Sequence, residues 1–261
     1  MSYQHVQIER RGHVMLIGIN RPEKANALNL QCIRELSSAY AEFDADESAR
    51  VAVLHSIGRH FTAGMDLPNV SPEVAAGNGL MAPGGIHPWQ VDGEFLTKPL
   101  VAAVHGKCLT LGIELVLAAD IAVCSASATF ATLEPQVGLF PFGGGTIRLP
   151  QRAGWGNAMR WLLTCEEYNA QEAYRLGLVQ EVVDDGDELE RAVQIAQKIA
   201  RQAPLVIKAI LANGRRALRE GIAAAEIEMP RLAQRTFLSE DGQAGIKTFR
   251  QPGGAPEYVG R

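Results

Sequence analysis

The chain has 261 residues, 47% of them hydrophobic and 21% charged, the profile of a soluble globular protein of one large or two modest domains. Its net charge of −4 leaves no basic excess for gripping nucleic acid. No apolar run approaches the ~20 residues of a membrane span.

The pattern of apolar residues predicts an α/β chain. Val14–Ile19 is short, apolar and bounded by Gly12 and Asn20-Arg21-Pro22, which marks a buried strand running into a loop. After that loop Ile33, Leu36, Tyr40 and Phe43 recur at helical spacing and give one apolar face. Val51–His55 and Leu100–His105 are further buried strands, with weak alternation because both faces are covered. Ile121–Val123 is another, and Val179–Val183 follows a helix over Ala170–Leu176. Strands separated by helices imply parallel pairing. From about Asp187 the style changes. Leu189–Ala200, Pro204–Leu218 and Gly221–Leu238 read as successive helices, and Ser239 caps a last one ending near Phe249. Arg250–Arg261, with two prolines and two adjacent glycines among its residues, reads as a loose tail. Between the second and third strands lies Pro68–Gly93, rich in glycine and proline. It is either a lid or binding loop, or a tolerated surface insertion.

The cysteines Cys32, Cys108, Cys124 and Cys165 form no C-x-x-C pair, and the six histidines show no metal-ligand spacing. Free thiols in a reducing compartment are expected, with no metal. The start, Met-Ser-Tyr-Gln-His-Val-Gln, lacks a basic region followed by an apolar core, so no signal peptide is visible and the cytoplasm is the expected location. The basic run Lys208–Arg219 is followed by Glu220, Glu226 and Glu228 and reads as a solvated helix face.

Three features carry chemistry. The strand exits Gly58–Leu67 and Gly106–Gly112 each bear glycine and leave backbone N–H groups free to face a cleft; one such donor is worth ~3 kcal/mol to a developing oxyanion. Glu114 and Glu134 sit in apolar surroundings, where a carboxyl group costs energy unless it has a partner or a task. Coming from different elements, they suit a division of labour over one water, one acid taking its proton and the other delivering a proton to carbon. The alternative is that each caps a helix or pairs with a basic residue such as Arg148. Gly143-Gly-Gly-Thr146 has neither the G-x-x-x-x-G-K-[ST] nor the G-x-G-x-x-G spacing and serves close packing or a helix start.

Taken together, four segments resemble the crotonase superfamily, the enoyl-CoA hydratase/isomerase group. They are Asn20-Arg-Pro-Glu-Lys-Ala-Asn-Ala-Leu-Asn29, Phe61-Thr-Ala-Gly-Met-Asp-Leu67, Gly106-Lys-Cys-Leu-Thr-Leu-Gly-Ile-Glu-Leu115 and Phe130 to Leu149. The resemblance implies a β-β-α spiral core over residues 1–187 and a helical C-terminal trimerisation region over 188–261. It places two thioester-oxygen donors at the backbone N–H of Met65 and Leu111. It gives Glu114 the activation of water and Glu134 the proton exchange at the acyl α carbon. Lys24, Ala25, Ala27, Ala63, Asp66, Leu67 and Gly112 would line the coenzyme A and substrate groove. The implied reaction is hydration of a 2-enoyl-CoA, with isomerisation, hydrolysis or carbon–carbon cleavage of an acyl-CoA as alternatives, and a binding protein without catalysis as a third class. Coenzyme A enters as the substrate's carrier, not as a resident cofactor, and the assembly would be a homotrimer or a dimer of trimers. Two departures stand out: Leu111 replaces the glycine usual in hydratases, narrowing the acyl pocket, and Met65 stands where a small residue is common.

Overall fold

A computed structural model describes residues 3–249 and 256–261. The chain enters as a hairpin, β1 (Val6–Arg11) antiparallel to β2 (Val14–Ile19), turned at Gly12 with its φ of 63°. β2 then pairs in parallel with β3 (Val51–Ser56), β3 with β4 (Leu100–Val104), β4 with β6 (Ile121–Ser125) and β6 with β9 (Glu181–Val183). The order β1-β2-β3-β4-β6-β9 puts the most deeply buried strands in the middle. One face packs on α1 (Leu30–Ala45) through Ile17, Ile33, Leu36, Tyr40 and Phe43. The other packs on α7 (Glu188–Ala200) through Leu16, Val53, Val101, Val123, Val193 and Ala196. Burial on both faces explains why these strands read as continuous apolar runs. Helix α1 starts at Asn29, whose side-chain oxygen accepts the Cys32 N–H at 2.8 Å.

A smaller sheet, in the order β5 (Lys107–Leu109), β7 (Thr129–Ala131), β8 (Tyr168–Asn169), stands beside the first. Around it lie α2 (Leu67–Ala75), α3 (Leu111–Ala118), α4 (Gly145–Ala153), α5 (Trp155–Thr164) and α6 (Ala170–Arg175). The chain ends in α8 (Pro204–Glu220), α9 (Ile222–Leu238) and α10 (Glu240–Thr248). Helix α8 contains no buried residue, and Leu218, Ile222, Ile227 and Phe237 of this region are largely exposed. This is the α/β spiral core with a helical C-terminal region that the resemblance implies. None of the described helices is long and apolar enough to cross a membrane.

Two expectations need correction. Pro68–Gly93 is not wholly a surface insertion: residues 71–85 are exposed or half-buried, but its last part contributes the fully buried Trp89 and the buried Ile86 and Gln90. The tail is not loose at its end. The Val259 and Gly260 N–H groups each donate to the buried Asp241 carboxylate at 2.8 Å, and Arg50 donates to the Tyr258 carbonyl at 2.6 Å. Residues 250–255 of that tail lie outside the described residues.

Candidate active site

The two strand-exit turns meet. Thr62 donates its N–H to the Lys107 carbonyl at 3.1 Å and accepts the Leu109 N–H at 3.0 Å, so Gly64-Met65 runs alongside Thr110-Leu111. Gly64, at φ 93°, has no room for a side chain because the Thr110 hydroxyl occupies that space. Gly112 likewise lies against the Thr62 methyl group and Cys108, so it supports the packing of the turns. Leu28 then fixes the direction of the Met65 amide. Its N–H donates to Gly64 O at 2.8 Å and its carbonyl accepts the Asp66 N–H at 3.0 Å. Bonds to the residues on either side turn the amide of Met65 itself away from Leu28, as in any parallel bridge. Leu111 is the first residue of α3, where amides have no partner within the helix. Among the described residues neither amide meets an acceptor. Thr110, between them, sits at φ 53°, ψ −117°, a left-handed conformation that a β-branched residue adopts only under strain.

Glu114 lies three residues past Leu111, so its side chain leans back over the turn that carries the Leu111 amide. It is 2% exposed. Its Oε2 accepts the Gly143 N–H at 2.9 Å and its Oε1 the Gly145 N–H at 2.8 Å. Burial pushes the carboxyl up to about 7; the two amides pull it down and the neighbouring Glu134 raises it further. Glu134 opens the short 3-10 turn Glu134–Val137 after β7 and is 8% exposed. Among the described residues neither of its oxygens meets a hydrogen-bond partner, and both are shut off from solvent. Burial raises this acid too, against a weak opposing pull from its own amide and that of Leu133. The two carboxyls therefore share one electrostatic neighbourhood in which at most one ionises easily. The helix-capping role weighed for the glutamates does hold for Glu114, since Gly145 is the first residue of α4.

Among the described residues Arg148 forms no ion pair with either acid, although its charge lowers the Glu114 pKa. Its guanidinium donates to the carbonyls of Trp89 at 2.7 Å, Gly143 at 3.2 Å and Gln90 at 2.6 Å. It thereby ties the 89–90 segment to the glycine run. That run does open a helix, and two of its glycines lie tight against Glu114. A Cβ on Gly143 would come within 2.6 Å of Glu114 Oε2, and one on Gly145 within 3.0 Å of Oε1.

The remaining candidate residues gather along one edge of these turns. Ala25 and Asn26 adopt successive left-handed conformations, φ 50° and 55°. Ala25 accepts the Ala63 N–H at 2.9 Å, which joins the Lys24–Ala27 loop to the 62–67 turn. Lys24 is exposed. Asp66 pairs with Arg21 at 2.7 Å, and Arg21 also donates to Ala27 O. Leu67 begins α2.

Sequence reasoning missed Asn26 and Trp89. Asn26 is fully buried, and its amide donates to the carbonyls of Ile57 and His60 at 2.9 and 2.7 Å. Trp89 is fully buried and donates its indole N–H to the Leu111 carbonyl at 3.0 Å. A lone tryptophan in a polar, glycine-rich stretch was the available signal, because tryptophan is rarely left without an apolar surface. Among the described residues no cluster of three His, Cys, Asp or Glu side chains is placed to hold a metal ion.

Residues 9–255 match the family described as enoyl-CoA hydratase/isomerase. The chain is 34% identical to an enoyl-CoA hydratase of Mycobacterium tuberculosis, over 97% of this chain and 96% of the relative. It is also 34% identical to carnitinyl-CoA dehydratase of Proteus mirabilis, over 99% of each. Among solved structures, a probable enoyl-CoA hydratase/isomerase from Mycobacterium abscessus superposes with a TM-score of 0.98 at 51% identity, covering all of both chains.

Proposed function

Because the chain belongs to the enoyl-CoA hydratase/isomerase family, we propose that it adds water across the double bond of a 2-enoyl-CoA thioester, using Glu114 and Glu134 as paired acids. The observation that carries this reading is the pair itself: two buried carboxyls, Glu114 raised further by the charge of Glu134, neither of them in a salt bridge among the described residues.

In this mechanism the amides of Met65 and Leu111 hold the thioester oxygen. Glu114, its ionised form favoured by the Gly143 and Gly145 N–H donors, takes a proton from water. The water oxygen bonds to the β carbon, and the π electrons move onto the thioester oxygen as an enolate. Glu134, kept protonated by burial, delivers its proton to the α carbon as the carbonyl reforms. Each donor amide stabilises the enolate more than the ground state, and paired carboxyls with separated tasks supply the proton transfers. Lys24, Ala25, Ala27, Ala63, Asp66 and Leu67 serve the coenzyme A side, Asp66 by holding Arg21 and the loop in place.

The exposed apolar side chains of α9, Ile222, Ile227 and Phe237, support assembly of residues 188–261 into a homotrimer or a dimer of trimers around the core of 1–187, with α7 joining the two parts. The four unpaired cysteines suit a reducing compartment, the cytoplasm.

The test is turnover of crotonyl-CoA in labelled water by Glu114→Gln and Glu134→Gln. Each variant should lose most hydration while retaining thioester binding. Wild-type turnover in both, or a double bond moved without incorporation of labelled oxygen, would overturn the assignment.

A further inference from the structure

A cavity of about 790 Å³ opens between α8, α4, the end of α3 and the 90–95 segment, and neither glutamate lines it. This is the size of a small-molecule pocket. Its composition is unusual. Arg148 and Arg152 enter from α4, and Arg215 and Arg219 from α8. Each helix thus presents an i,i+4 pair of like charges to the same space, a spacing that is unfavourable unless something neutralises it.

Internal neutralisation is incomplete. Of the four, Arg215 alone meets a carboxylate among the described residues, Asp120 at 2.9 Å. Arg148 and Arg152 spend their hydrogens on backbone carbonyls, Arg152 on Leu117 and Ala119 at the end of α3. Those bonds orient the guanidiniums without cancelling their charge. Arg219 is the least committed. It stacks on Phe95, 3.4 Å from the ring centroid, and its one acceptor among the described residues is Gln90 O at 3.5 Å. Stacking leaves the edge of the guanidinium, where its donors point, free for an anion. Asp92 is the one other carboxylate lining the space, so four positive groups face two negative ones.

We propose that this cavity is a binding site for a small multivalent anion, of the phosphate or polycarboxylate class, held by the paired arginines of α4 and α8. The arginines repel one another: burial lowers the proton affinity of Arg148 first, Arg219, Arg152 and Arg215 lower it further, and Glu114 offsets part of this. Arginine does not escape by losing its proton, so the field persists until an anion fills it. The forked geometry of guanidinium suits bidentate capture of phosphate or carboxylate oxygens. The site does not depend on the reaction assigned to the glutamates.

The experiment is calorimetric titration of the full-length protein with pyrophosphate and, separately, with citrate, at low ionic strength, with and without coenzyme A. Saturable binding of either anion is expected, unaffected by coenzyme A, and weakened at least about tenfold by Arg219→Gln. Binding of pyrophosphate alone identifies a phosphate ligand, and of citrate alone a carboxylate. Arg216→Gln controls for loss of bulk charge, since Arg216 lies outside this cavity and pairs with Glu220 and Glu228; it should bind as the wild type does. The proposal fails if neither anion binds, if Arg219→Gln binds as tightly as the wild type, if Arg216→Gln weakens binding equally, or if coenzyme A displaces the anion.

Discussion

The indole N–H of Trp89 donates to the carbonyl of Leu111 at 3.0 Å, inside a contact sealed from solvent. The bond reaches from the 68–93 segment to the first residue of α3, whose amide is one of the two proposed oxyanion donors. Trp89 also packs edge-on against Phe142 and lies where a side chain on Gly143 would begin.

Replacing Trp89 by Phe keeps an aromatic ring and removes this donor. A buried carbonyl left unpaired costs about 1–3 kcal/mol, so thermal unfolding should begin several degrees lower. Hydration kcat should fall roughly tenfold or more as the Leu111 turn loosens, with a smaller change in KM. Unchanged kcat and Tm would show that the turn is held without the indole.

Gly64→Ala tests the other turn. The new methyl group would collide with the Thr110 hydroxyl at a position whose φ of 93° already disfavours a side chain. Displacing the Met65 amide should cost about 100-fold or more in kcat, the usual effect of losing one oxyanion donor. Steady-state kinetics on a soluble, folded variant reads this directly. Activity within a few-fold of the wild type would remove Met65 from the mechanism.

The raised Glu114 carboxyl has a sign that can be worked out. Its pKa rises from the ordinary 4.5 to about 7 on folding, so between those values the folded chain holds a proton that the unfolded chain has released. This contribution to stability is full below about 4.5, declines as pH climbs to about 7, and is lost above it, by on the order of 3 kcal/mol. Glu114→Gln cannot titrate. Its stability relative to wild type should therefore improve across that window, as measured by denaturant unfolding at pH 4.5, 6 and 8. A constant gap would contradict the raised value. In the wild type, kcat/KM should rise with pH through about 7 as Glu114 becomes able to accept a proton.

Removing Tyr258–Arg261 should destabilise the protein although these residues are far along a tail. The deletion strips Asp241 of two N–H donors and Arg50 of an acceptor. Bonds to charged groups are worth about 1.5–3 kcal/mol each, so calorimetry should record a Tm several degrees below that of the intact chain. An unchanged Tm would mean that Asp241 finds water at no cost.

Much of the core was legible because it obeys short-range rules. Val14–Ile19 announced itself as a strand by its apolar run, and Ile33, Leu36, Tyr40 and Phe43 as a helix by their spacing. β1 escaped notice because Glu9, Arg10 and Arg11 give it the look of a loop; it is an edge strand, wet on one side. β5 and β7 have three residues each, too few for a period to register. The glutamate pair was visible as two acids among apolar neighbours, but what holds them was not. Gly143 and Gly145 reach Glu114 across a separation of 29 and 31 residues, and no local pattern encodes that contact. Arg148 had the right charge to pair with a glutamate, and only the fold shows that backbone carbonyls claim it. The tail was misjudged for the same reason, since its anchors Arg50 and Asp241 lie elsewhere in the chain.

The hold of Gly143 and Gly145 on Glu114 also bears on divergence. While an acid occupies position 114, neither glycine can gain a methyl group without displacing a carboxylate oxygen. A lineage that exchanges this glutamate for a smaller residue is released from the restriction at Gly145 alone, because Trp89 still fills the space beside Gly143. Relatives that have dropped the acid should therefore show alanine or serine at position 145, whereas those that keep it should not. Substituting Gly145 in a background such as Glu114→Ala would be tolerated far better than in the wild type.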